Sequence, residues 1–209
     1  MYSNCYVESI DMNKFYNLIA LFIIVLFFNV FPKPSPLSTS NTNISTEIPT
    51  PALFVKGASE ICMLAMHATS AISNHVGFYK EKMVDDCKIR VILLDPSSPS
   101  LETWNLLIDS DITKLHIETY LQVLKQLTSL PKAKGKCEVK LLNVFLPFSI
   151  FAIDLSKKTG SIIVEFHPYK RSIDDRLHVR LNTSENPHWF DYYKKHFNQA
   201  WADASDWNV

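Results

Sequence analysis

The chain has 209 residues, 47% of them hydrophobic, and its 21 basic and 21 acidic side chains cancel to a formal charge of zero. That balance gives no electrostatic case for nucleic acid, since a nucleic-acid binder usually carries a basic face. With only 4 glycines, the chain has no Walker loop and no Gly-x-Ser-x-Gly elbow, so the commonest nucleotidase and hydrolase motifs are absent.

After a tail at residues 1–14, the stretch Phe15 to Phe31, "FYNLIALFIIVLFFNVF", runs without a charged residue. At 1.5 Å per residue it makes a helix roughly 25 Å long, enough for a single-pass anchor at the short end of the range. It ends in Phe31 and Pro32 rather than in small residues, which favours an uncleaved anchor over a signal peptide. Lys14 and Lys33 flank it one on each side, so the positive-inside rule leaves the side of the soluble domain open.

Residues 32–51 are rich in Pro, Ser, Thr and Asn and hold few large apolar side chains, the composition of a disordered tether. The sequons at Asn43 and Asn182 matter only for a translocated domain. The folded part carries three cysteines, Cys62, Cys87 and Cys137, with no Cys-x-x-Cys pair and no histidine at metal-ligand spacing. This argues against a disulfide or metal scaffold and leans towards a cytoplasmic domain. No cofactor motif is present.

The domain, residues 52–209, reads as α/β. "EICMLAMH" (Glu60 to His67) is a buried strand, residues 70–86 a helix, and "KIRVILLD" (Lys88 to Asp95) a second strand, together a β-α-β unit with parallel strands. Helices are expected over 101–109 and 113–130, the second burying Leu115, Tyr120, Leu121, Leu124 and Leu127. Strands then start at Cys137, Phe148, Gly160 and Arg176, with "LSKKTG" as a hairpin turn in which Gly160 takes a positive φ. In the closing helix Asn186 is the expected cap, Pro187 sits in the first turn, and Phe190, Tyr193, Phe197 and Trp201 form a core stripe.

His67 and Asp95 end the two parallel strands, where clefts form, although an Asp before Pro is also an ordinary turn starter. Glu165, His167 and Tyr169 alternate along one strand and are expected on one face, turned away from Ile163, as ligand-binding candidates with Asp95.

The order of these elements, carried by "ICMLAMHATSA", "KIRVILLDPSSP", "PFSIFAID" with "GSIIVEFHPY", and "WFDYYKKHFNQAW", resembles a single phospholipase D-like domain, a mixed β-sheet flanked by helices. Active members of that superfamily carry His-x-Lys-x4-Asp: the His attacks phosphorus, the Lys holds phosphate oxygens, and the Asp orients a His or sustains the fold. Anchored on Asp154, this chain has Pro147 in the place of the His and Ser149 in the place of the Lys. His167, Lys170 and Asp174 offer a substitute at offsets of three and seven where the signature needs two and seven, and residues three apart in a strand do not share a face.

The resemblance therefore implies a membrane-anchored, catalytically inactive domain that binds a ligand or partner, with His67, His167 and Asp154 as weak catalytic candidates. Two alternatives stay open. One is an active phosphodiesterase or phosphatidyltransferase-like enzyme with a non-standard His nucleophile, and the other a structural interaction module at the membrane. The expected partners are a membrane through residues 15–31 and an unidentified small molecule or protein, with no strong nucleic-acid signal and a homodimer as an option.

Overall fold

Among the described residues eight strands form one mixed sheet: β1 (Asn43–Ser45), β2 (Glu60–Ala65), β3 (Lys88–Leu94), β4 (Cys137–Leu142), β5 (Phe148–Ile153), β6 (Ser161–Phe166), β7 (His178–Asn182) and β8 (Ser205–Asp206). Their spatial order is β1-β7-β6-β5-β2-β3-β4-β8. They belong to a computed structural model that describes residues 43–45, 50–66, 69–72, 75–108, 110, 112–170 and 176–207. The anchor expected at residues 15–31 lies outside the described residues, as do His67 and Asp174. Among the described residues no helix is long and apolar enough to cross a membrane.

β2, β3 and β4 run parallel, and the remaining neighbours pair antiparallel. The helices are α1 (Pro51–Phe54), α2 (Thr69–Ile72), α3 (Val76–Val84), α4 (Ser100–Ile108), α5 (Thr113–Thr128) and α6 (Pro187–Asp203). Alternation along the strands divides the core into two. Ile61, Met63, Ile89, Val91 and Ile163 pack with Tyr79, Trp104, Ile117 and Leu124 from α3, α4 and α5. Cys62, Leu64, Ile150, Ala152, Ile162 and Val164 pack with Phe190, Phe197 and Ala200 of α6. β2 is buried on both faces, which is why it reads as an unbroken apolar run.

The expected β-α-β unit is present, with Ile61 opposite Ile89 in parallel register. Its crossover is broken, α2 ending at Ile72 and α3 starting at Val76, where one helix over 70–86 was expected. Leu115, assigned to the buried face of α5, is 62% exposed and Ile117 is buried in its stead, because a stripe including 117, 120, 121, 124 and 127 follows the helical period and 115 falls off it. The stripe on α6 holds, with Phe190 and Phe197 buried and the Arg90 guanidinium 5.0 Å from the Phe197 ring and 5.4 Å from that of Trp201. Pro187 opens α6, but the Asn186 side chain makes no cap hydrogen bond.

Two further expectations are corrected. β1 lies within residues 32–51, the stretch read as a disordered tether, and pairs with β7, Ile44 opposite Val179. Ile44 is 62% exposed, so this edge strand is held by backbone pairing and needs no apolar core of its own, which composition cannot reveal. Gly160 does not take a positive φ; the turn places that conformation at Asp154, with φ of 48°. Gly160 is required by proximity instead, since a Cβ there would stand 2.7 Å from the Asp154 carbonyl oxygen and 2.8 Å from the Phe190 ring.

Candidate functional site

The C-terminal ends of β2, β3 and β4 share one edge of the sheet, and the start of β5, the end of β6 and the start of β7 reach the same edge by their antiparallel pairing. Register then sets three polar residues in a row across it, since Ser149 of β5 opposes Glu165 of β6 and Glu165 opposes His178 of β7. His167, two residues beyond Glu165, follows on the same side, with its N–H donating to the Pro147 carbonyl at 3.1 Å.

Glu165 is the centre of this group. Its Oε1 accepts from Nη1 of Arg176 at 2.5 Å, its Oε2 lies 2.9 Å from Nε2 of His178, and Nδ1 of His167 lies 3.7 Å from Oε1. The other ring nitrogen of His167, Nε2, is 2.9 Å from the Ser149 hydroxyl oxygen. Burial pushes the Glu165 carboxyl up, but the Arg176 charge and the hydrogen bonds from His178 and Arg176 outweigh it and hold the group below the usual carboxylate range. α4 closes the cluster. The Trp104 ring, fully buried, meets His167 edge-on at 4.8 Å and has the Arg176 guanidinium 5.9 Å from its centroid. Lys170 N–H donates to the Leu107 carbonyl at 2.7 Å, which ties the end of α4 to the turn after His167.

Of the expected ligand-binding residues, Glu165 and His167 are brought together. Their shared face is that of Ile163, not the opposite one, because 163, 165 and 167 alternate together along the strand. Tyr169 is 68% exposed, with the Lys170 ammonium 5.7 Å from its ring, and stands apart from the cluster. Asp95 lies at the same edge of the sheet, but its Oδ1 accepts from the N–H and hydroxyl of Ser97 at 2.7 and 2.6 Å, the geometry of a turn starter.

Asp154 lies at the opposite edge. Its Oδ1 accepts from Ser59 N–H at 3.1 Å, the Ser59 hydroxyl at 2.9 Å and Glu60 N–H at 3.0 Å, and its own N–H donates to the Glu60 carbonyl. It clasps the end of β5 to the start of β2. Ser149, Arg176, His178 and Trp104 were not among the expected site residues. Ser149 was noted only as a missing lysine, and the others meet Glu165 through strand register and helix packing.

No protein-family model and no curated protein matches the chain. Several solved structures are similar to the chain, two of them at low identity. One is TrmBL2, an archaeal chromatin protein whose structure shows a mode of DNA binding, at 13% identity and a TM-score of 0.47, covering 94% of this chain and 65% of that protein's length. The other is Nuc from Salmonella typhimurium, a phospholipase D family member, at 8% identity and a TM-score of 0.42, covering 76% of this chain and 89% of that one. The expected partners are corrected beside the first of these. Zero formal charge is no ground for setting nucleic acid aside, since a whole-chain sum says nothing of how charge is spread over one face.

Proposed function

We propose that this is a phospholipase D-like domain without phosphohistidine chemistry, whose work is binding rather than phosphoryl transfer. The observation that carries the reading is the state of His167. Its ring meets β5, the strand where the superfamily signature falls, yet its side chain is 2% exposed and its Nε2 faces the Ser149 hydroxyl. An attacking imidazole needs a free ring nitrogen in line with phosphorus and a cation for the phosphate oxygens. Pro147 supplies no nucleophile, Ser149 supplies no charge, and the Arg176 guanidinium is bound to Glu165.

Purified protein is therefore expected to hydrolyse bis(p-nitrophenyl) phosphate no faster than its His167→Ala variant. Turnover that the variant abolishes would overturn the reading.

A second reading is favoured by one surface. α6 exposes Trp189 (40%) and Tyr192 (45%) beside His188, His196 and Lys195, which is paired with Asp191 at 2.7 Å. Rings that stack bases and cations that meet phosphates are what single-strand binding uses. On this reading a labelled single-stranded oligonucleotide binds in an anisotropy titration, and Trp189→Ala with Tyr192→Ala weakens it by about 10-fold or more, from roughly 1–3 kcal/mol per stacked base. Equal affinity for both proteins would remove α6 as the binding surface.

A further inference from the structure

The same edge of the sheet holds a second kind of chemistry, independent of whether the chain binds as proposed above. Ser149 Oγ and His167 Nε2 are 2.9 Å apart, within reach for direct proton transfer, and the far nitrogen of the imidazole looks onto Oε1 of Glu165 at 3.7 Å. The order is hydroxyl, imidazole, carboxylate. The register of β5 and β6 fixes Ser149 opposite Glu165, and the residue after the strand end brings the ring back between them.

The three are not equally covered. His167 and Glu165 have side chains only 2% and 17% exposed, and Trp104 lies edge-on against the imidazole, whereas Ser149 is half-buried at the end of the sheet. The base and its orienting group are thus shielded from water, while the serine is only half-buried.

We propose that Ser149 is a nucleophile towards carboxylic esters, with His167 as its general base and Glu165 as the residue that positions the imidazole. The substrate class follows from charge. A phosphodiester brings anionic oxygens that need a cation, and the guanidinium of this cluster is already bound to Glu165. An ester carbonyl is neutral and makes no such demand before attack.

In the first step the Ser149 Oγ–C bond forms at the carbonyl as the hydroxyl proton passes to His167 Nε2. The ester C–O bond then breaks, and the leaving alcohol takes that proton. Water, deprotonated by the same nitrogen, cleaves the acyl-serine to a carboxylic acid and returns the hydroxyl. Arg176 and His178 act through Glu165, holding its carboxylate where it faces Nδ1.

The test uses the full chain and a fluorophosphonate probe, which forms a phosphonyl–Oγ bond with loss of fluoride and needs no knowledge of the natural ester. The expected result is a probe adduct mapped by peptide mass spectrometry to Ser149, formed about 100-fold more slowly in His167→Gln. In Glu165→Gln labelling of Ser149 should slow and its pH profile should move, the second of which a purely structural glutamate would not produce. Wild-type protein that acquires no adduct, or acquires it elsewhere, would overturn the proposal without reference to the folding of any variant. Because the probe reads a serine and the phosphodiester assay reads a histidine, the two readings fail separately.

Discussion

Replacing Glu165 by Gln should lower stability by about 3–5 kcal/mol, the cost of leaving a buried guanidinium without its counter-charge. For a domain of this size that is a fall of roughly 6–20 °C in melting midpoint. Arg176 and His178 have side chains only 8% and 5% exposed, so neither can turn to solvent when the carboxylate is removed. The amide keeps the shape of the side chain and one acceptor oxygen, but its other end presents N–H groups to a group that already donates, so charge and one acceptor are lost while the packing is kept.

The same residue fixes a pH dependence. Glu165 is held below the usual carboxylate range when folded, so the unfolded chain takes up its proton first as pH falls. The stabilisation is fully present above the ordinary value of 4.5 and is lost as pH drops through the lower folded value. Thermal melts from pH 7 down to pH 3 should show a steep loss at the acid end in the wild type and a shallower one in Glu165→Gln. Parallel curves would mean that the carboxylate carries none of the stability assigned to it.

The second large effect is expected at Asp154, at the other edge of the sheet. Asp154→Ala leaves the backbone N–H groups of Ser59 and Glu60 without their shared acceptor, at about 1–3 kcal/mol each, for a total of roughly 2–6 kcal/mol. It also forces alanine into φ of 48°, which Asp and Asn tolerate better. Asp154→Asn keeps an oxygen acceptor and should recover more than half of the loss in a urea titration. An Asn variant as unstable as the Ala variant would show that the charge, next to Lys157 at 3.3 Å, matters more than the acceptor.

These two carboxylates show what the sequence made legible. Asp154 was singled out by its spacing in the phospholipase D-like signature, and its role is now visible as a clasp between β5 and β2. The hairpin, the parallel pair and the α6 stripe were legible because each is set by local period: alternation in a strand, three- and four-residue steps in a helix. Glu165 and His167 were legible for the same reason, as alternating polar residues at the end of an apolar strand.

Their partners were not. Arg176 and His178 reach Glu165 only through the register of β6 and β7, which a connection from 167 to 177 leaves undetermined in the sequence. Trp104 arrives from a helix more than sixty residues away and reads there as one more apolar position. The positive φ at Asp154 was hidden by Gly160, which offered the more obvious explanation for the turn. Long-range pairing, rather than any single residue type, is what separated a strand with polar residues from a cluster.

The central claim is that no histidine of this domain forms a bond to phosphorus. The most direct measurement is to incubate the purified chain with a radiolabelled phosphodiester, quench in alkali, and look for an acid-labile phosphohistidine by peptide mapping. The expected result is no label on His167 or His67 above that of denatured protein. A labelled His167 or His67 that chases to product on dilution would contradict the account and restore the domain to the phosphoryl-transfer enzymes.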